Sequence, residues 1–291
     1  MTSTLQSNKA IKMIKAAREG GYGFPGVVTY NLETIIATVR AAEAKRAPVQ
    51  ILLFPWAISS SDGLLVKAAA AARDSATVPI AVHLDHAQDE NIIKLAADMP
   101  NGFDSIMIDM SHYEKDENLR RTAKWVEYCH ERGIATEAEP GRMEGGEDGV
   151  AHTGDLEGVL TTPEEAQRFI NTGIDFLAPA FGNIHGDYGG RDNIKLDFDR
   201  LRKVSETSAQ SGVEIVLHGT NGFPDDIMAN CVKHGITRCN VNKLVLKPYS
   251  EYYRAHAAST ILTELIDEGI LLIQREVEHQ LDVMGASGKA G

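Results

Sequence analysis

The stretch VPIAVHLDHAQDENIIKLAA (Val78–Ala97) begins as a continuous apolar run, Val78–Ala87, and passes into a segment with helical spacing, Asp89–Ala97. A second apolar run, SIMIDMS (Ser105–Ser111), follows. Unbroken apolarity, rather than strict alternation, marks a strand buried on both faces, as in a parallel sheet covered by helices. Working outward, the same unit recurs at GVVTYN (26–31), VQILLFPW (49–56), IATEAEPG (134–141), DFLAPAFGN (175–183), EIVLHGT (214–220) and ITRCNVN (236–242). The spacing predicts intervening helices over Leu32–Lys45, Gly63–Arg73, Glu117–Arg132, Pro163–Thr172, Asp197–Ser211 and Pro224–His234. Eight strands alternating with helices predict an α/β fold, a TIM (β/α)8 barrel, and the absence of any linker predicts one domain over 1–291.

Beyond Lys247 two further helical patterns, Tyr249–Glu268 and Ile270–Met284, exceed what the barrel needs, so extra C-terminal helices are expected. Their apolar stripes need a covering surface, either the barrel or a second subunit, which predicts a homodimer or homotetramer. The segment Arg142–Thr162 is Gly-rich and acidic, and reads as a mobile loop.

With 43% hydrophobic and 24% charged residues the composition is globular. A net charge of −12 without a Lys/Arg cluster argues against nucleic acid and against anionic membranes as partners. Three scattered cysteines make neither a disulfide framework nor a C-x-x-C site, which fits a reducing, cytoplasmic location. The first residues carry no apolar core of signal-peptide type and read as an amphipathic helix.

Polar residues interrupt the strands near their C-terminal ends: Asn31, Asp85 and His86, Asp109, Glu137 and Glu139, His185, His218, and Asn240. In a barrel these ends converge on one rim, where active sites are built. One histidine at a strand end is more often hydrogen-bonded scaffold than ligand. Three from three strands, His86, His185 and His218, are a candidate catalytic metal site with a position left open for substrate. Asp109 and Glu139 add carboxylates that orient those rings or hold a second cation. His83, two residues before Asp85, falls on the same side of its strand and reads as part of a hydrogen-bond network.

The motifs VHLDHA (82–87), SIMIDMSH (105–112), EAEPGRMEGGED (137–148), APAFGNIHGDY (178–188), LHGTNG (217–222) and CNVN (239–242) resemble, in order, those of the class II, metal-dependent fructose-bisphosphate aldolases. The resemblance runs over about residues 10–285 and implies a barrel lyase acting on a small sugar phosphate. It implies Zn2+ on His86, His185 and His218, with Asp109 and Glu139 at positions tied to a second or alternative cation. Asp85 matches the acid/base at the C4 oxygen, Glu147 the residue that exchanges the proton on the ketone fragment, and Asn240 the amide that holds the enediolate. Asn31, Gly186, Gly219, Asn221, Asn242 and Lys243 are the candidate substrate-binding positions.

The same resemblance exposes departures. Phe54 and Asn221 stand where the family usually has Ser, Gly189 where it has Lys, and Asn242–Lys243 where it has an acidic residue and Thr. Lys243, or Arg191 from the neighbouring loop, is then expected to supply the missing positive charge for a phosphate. The expected reaction is reversible cleavage of fructose 1,6-bisphosphate. The alternatives are tagatose 1,6-bisphosphate, another ketone donor, or a metal-holding barrel without catalysis.

Overall fold

Eight parallel strands close into a barrel in chain order in the computed structural model, which describes residues 3–143, 145 and 159–291. They are β1 (Phe24–Val28), β2 (Val49–Leu53), β3 (Ile80–Ala87), β4 (Ser105–Ile108), β5 (Ala135–Ala138), β6 (Phe176–Leu177), β7 (Glu214–Leu217) and β8 (Ile236–Val241). Every residue of every strand is buried, which is why the strands carry no alternation of buried and exposed residues. The helices are α1 (Ser3–Gln6), α2 (Lys9–Gly20), α3 (Leu32–Lys45), α4 (Pro55–Ser59), α5 (Leu64–Ser75), α6 (Glu90–Ala97), α7 (Lys115–His130), α8 (Pro163–Ile170), α9 (Phe198–Ser211), α10 (Asp225–Lys233), α11 (Lys243–His256) and α12 (Leu262–Val283).

Local chemistry sets the boundaries. Asn31 and Thr34 form a reciprocal capping box at α3, and Thr162 and Glu165 form another at α8, where Pro163 occupies the first turn. Asn8 caps α2 and also donates to the carbonyls of Asp104 (2.7 Å) and Gly133 (2.9 Å), fixing the N-terminal helix across the barrel's lower end. Phe54, expected within the second strand, instead lies just beyond β2 as the extended N-cap residue of α4, because Pro55 has no N–H to extend the ladder.

Inside the barrel, residues two apart on a strand face the same way. That rule stacks Gln50 on β2, His83 and Asp85 on β3, Glu137 on β5, and Arg238 and Asn240 on β8. Arg238 is fully buried, and Gly26 makes room for it: a Cβ there would lie 2.9 Å from Leu52 and 3.2 Å from the Arg238 side chain.

The C-terminal region departs from the expected break at Gly269. The chain leaves α11 after His256, and α12 then runs unbroken through Gly269. Here glycine serves close approach. A Cβ at 269 would fall 2.9 Å from the Tyr249 ring, whose hydroxyl is held by the Asn31 side chain at 2.9 Å. Leu265, Ile273, Val277 and Leu281 of α12 are buried within the chain, whereas Leu262 is 67% exposed. Gly269→Ala should therefore lower stability by about 1–2 kcal/mol in urea unfolding, through overpacking. A gain of about 1 kcal/mol, the ordinary helix preference for Ala over Gly, would contradict the close packing.

Candidate metal centre and catalytic pocket

At the C-terminal rim the backbone itself is bent to the task. Asp85 and His86 are neighbours, so a regular strand would turn them to opposite faces. The pairing of β3 with β4 slips between Leu84 and Ala87, and His86 takes a left-handed φ of 48°. This bulge turns both side chains toward the same pocket. A positive φ at a non-glycine residue is a cost that surrounding structure must hold in place.

The hydrogen bonds then fix which nitrogen of each ring is bare. Asp109 Oδ2 accepts from His86 Nδ1 at 2.8 Å, leaving the His86 Nε2 lone pair free to bind. Glu137 Oε1 accepts from His218 Nε2 at 2.8 Å, leaving the His218 Nδ1 lone pair. Those two bare nitrogens face each other at 3.1 Å. Two lone pairs at that distance repel unless a positive charge lies between them. A ligand nitrogen of His185 and a carboxylate oxygen of Glu139 complete a four-donor group whose atoms all lie within 4.8 Å of one another. Glu139 Oε1 accepts from the Met143 N–H at 3.0 Å, whereas Oε2 is buried with no hydrogen-bond partner. An orphaned carboxylate oxygen among bare imidazole nitrogens fits a divalent cation.

The electrostatics agree. Burial pushes Glu139 up to about 8, reinforced by the charge of Asp109. Burial would lower His86, but Asp85 and the Asp109 hydrogen bond outweigh it and carry the ring up to about 10. Without an ion, the pocket attracts protons instead.

Asp109 itself is not among the four donors. Its Oδ2 takes His86 and Gln88 (3.2 Å), and its Oδ1 takes the Ser111 N–H (3.1 Å) and hydroxyl (2.7 Å). With both oxygens doubly engaged, it orients His86 and has no lone pair to give a cation.

Asp85 Oδ2 accepts from Asn240 Nδ2 at 3.0 Å, and the Asn240 amide is oriented by Arg238 Nε, which donates to its Oδ1 at 3.0 Å. Asp85, His86, His185, His218, Asn221, Asn240 and Asn242 line one small pocket, walled by Val28 and Phe54. Phe54 lies 6.3 Å from the His86 ring and 6.1 Å from Tyr30 (ring centroids), so the wall where a Ser was expected is aromatic.

Asn221 and Asn242 also line an adjoining open cleft of about 730 Å3 with Asn31, Asp187, Lys243 and Lys247. Asn31 is already spoken for, since Oδ1 caps α3 and Nδ2 donates to Tyr249. Lys243 opens α11, its N–H donating to Asn221 Oδ1 at 3.1 Å, and its side chain is exposed. Arg191, the other candidate cation, is bound by both guanidinium ends to Asp226 at 2.9 and 2.5 Å. Gly186 and Gly219 both adopt positive φ (105° and 69°), and a Cβ on Gly219 would strike the Ile184 carbonyl. Glu147 lies outside the described residues. The ends of its segment meet where the Val159 N–H donates to the Arg142 carbonyl at 2.9 Å.

Gln50, Ser105 and Arg238 were not singled out from the sequence. The available signal was a polar side chain inside an otherwise apolar buried run.

The profile described as "Fructose-bisphosphate aldolase class-II" matches residues 8–289. The chain belongs to the class II fructose-bisphosphate aldolase family. A protein of Coccidioides immitis provisionally named fructose-bisphosphate aldolase is 51% identical over 293 residues, 99% of this chain and 96% of that one. A crystal structure from that organism, titled in the same provisional terms, superposes with a TM-score of 0.95 at 52% identity, covering 98% and 99% of the two chains. The fructose-bisphosphate aldolase of Streptococcus pneumoniae is 38% identical over 97% of this chain and 98% of its own. The YdjI aldolase of Escherichia coli K12 superposes at 0.82 with 25% identity over 97% and 98%. The chain is thus a lyase of the class II aldolase family.

Because Asp109 fixes the His86 tautomer in this aldolase, Asp109→Ala should lower divalent-ion affinity about ten- to a hundredfold in a competition titration with a chelating indicator. Unchanged affinity would show that His86 needs no such anchor.

Proposed function

We propose that this chain is a zinc-dependent aldolase that reversibly cleaves fructose 1,6-bisphosphate to dihydroxyacetone phosphate and glyceraldehyde 3-phosphate. The observation that carries the proposal is the meeting of His86, His185, His218 and Glu139 around one point, with Asp85 in the same pocket. Imidazole and carboxylate donors suit zinc, whose shell can expand or exchange a carboxylate to take a substrate oxygen. Held there, zinc supplies Lewis acidity toward the ketose carbonyl oxygen.

The chain's own residues then account for the protons. Asp85 takes the proton from the C4 hydroxyl as the C3–C4 bond breaks, and the electron pair passes to the ketone fragment as an enediolate. Asn240, held rigid by Arg238, presents its amide beside that fragment. Glu147, which follows β5 in the sequence, returns a proton to C3 to give the ketone product. Lys243 and the N-terminal end of α11, at the cleft beside the pocket, are the proposed seat of one phosphate. A lysine reaches a phosphate as a mobile point charge, without the geometry of an Arg fork.

Residues 1–291 are proposed to act as one domain in a cytoplasmic homodimer or homotetramer. Exposed Ile261 (63%) and Leu262 (67%), which open α12, support a subunit contact, and the three cysteines are unpaired and buried. No helix among the described residues is long and apolar enough to cross a membrane.

A second reading, the same chemistry on a different ketose, is favoured by the aromatic wall of Phe54 and Tyr30 beside His86. A retro-aldol assay separates the two. Zinc-loaded protein should cleave fructose 1,6-bisphosphate in preference to tagatose 1,6-bisphosphate, lose turnover on chelation and regain it with zinc. Activity that survives complete metal removal contradicts the proposal. Failure to cleave either bisphosphate selects the second reading.

A further inference from the structure

Three buried polar atoms in the barrel face one another without a hydrogen-bond partner: His83 Nε2, Asp85 Oδ1 and Glu137 Oε2. His83 is completely buried, and the reaction as described does not use it. What it offers Asp85 depends on which ring nitrogen carries the proton, and the barrel settles that through a chain of bonds. Arg238 Nη1 can only donate, and it meets Gln50 Oε1 at 3.1 Å. The Gln50 amide is thereby oriented, and its Nε2 donates to Ser105 Oγ at 2.9 Å. The Ser105 hydroxyl is then left to donate its own proton to His83 Nδ1, 2.8 Å away. With Nδ1 accepting, a neutral His83 carries its proton on Nε2.

That N–H has two acceptors nearby, Glu137 Oε2 at 3.5 Å and Asp85 Oδ1 at 3.8 Å. Glu137 Oε2 already has the Arg238 guanidinium at 2.8 Å, whereas Asp85 Oδ1 has nothing. We propose that His83 is a positioning residue: locked as the Nε2–H tautomer by the Arg238–Gln50–Ser105 chain, it directs a donor at Asp85 Oδ1 and aims the carboxylate at the substrate hydroxyl. Asn240 holds the other oxygen of Asp85, and the His83 Nε2–H faces Oδ1 at 3.8 Å, close enough to steer its charge and to close up when substrate binds. The same three residues could be mistaken for a cation site. A protonated Nε2 has no lone pair for a metal, and Arg238 already supplies the positive charge on Glu137.

The inference rests on Asp85 being the base, so the experiment tests the two separately. Gln can place an amide donor near the position of His Nε2, whereas Asn places it near Nδ1. In the zinc-loaded enzyme His83→Gln should keep kcat within about threefold. His83→Asn should lower kcat about ten- to a hundredfold, the scale of a misaligned catalytic group, with KM and bound zinc unchanged. In an Asp85→Ala background His83→Asn should cost nothing further. Equal kcat for the Gln and Asn variants, or loss of zinc from either, overturns the positioning role. If Asp85→Ala alone leaves kcat intact, it is the reading of Asp85 as base that fails. Should the His83 variants not fold, imidazole 15N shifts of the zinc-loaded wild type decide: a protonated Nε2 and bare Nδ1 support the relay, and the reverse tautomer or a metal-bound Nε2 overturns it.

Discussion

The ion pair between Arg238 and Glu137, buried in the barrel interior, is the contact on which the site depends. Arg238 Nη1 lies 2.8 Å from Glu137 Oε2 and Nη2 donates to Oε1 at 3.1 Å. Burial would raise the Glu137 carboxyl, but Arg238, His83 and His218 together hold it well below the usual carboxylate range. A charge placed this deep is tolerated because the Arg238 guanidinium lies against both carboxylate oxygens. Removing one partner of such a pair typically costs about 3–5 kcal/mol, because the other charge is left buried and uncompensated. The pair spans β5 and β8, and two further strands are tied to it through Gln50 on β2 and His218 at the end of β7.

From that pair the catalytic geometry follows as a set of orientations. Glu137 sets the His218 tautomer, Asp109 sets that of His86, and the two bare nitrogens turn toward each other. Arg238 orients Asn240, and Asn240 holds one oxygen of Asp85. Side chains at the rim are thus arranged by carboxylates and a guanidinium lying behind them, where water cannot compete for the bonds. Among the described side chains of the site, His86 alone takes a left-handed backbone as well, because its neighbour Asp85 takes the regular inward position.

Much of this was legible in the sequence because burial on both faces leaves a plain mark. All eight strands fall in mostly apolar runs, and the polar residues within and beyond them stand out against that background. His86, His185, His218 and Glu139 lie around one point, although His185 stands not at a strand end but in the connection well past β6. Other features were hidden for physical reasons. Gly269 looks like a helix break in one dimension, and only the Tyr249 ring beside it explains a glycine inside a helix. Asp109 and Glu139 look alike as strand-end acids; hydrogen bonding to Gln88 and Ser111 fills one and leaves the other with a bare oxygen. Arg191 looks available as a phosphate ligand until Asp226, in the first turn of α10, binds it.

Asp109 and Glu137 turn His86 and His218 toward one point that His185 and Glu139 share beside Asp85, where a cation is proposed to sit. Anomalous diffraction at the zinc edge from zinc-loaded crystals tests it most directly. One strong peak is expected within bonding distance of His86 Nε2, His218 Nδ1, a ring nitrogen of His185 and Glu139, with Asp109 and Glu137 outside coordination range. A peak bonded to Asp109, to His218 Nε2 or to the His83–Asp85–Glu137 group would contradict it.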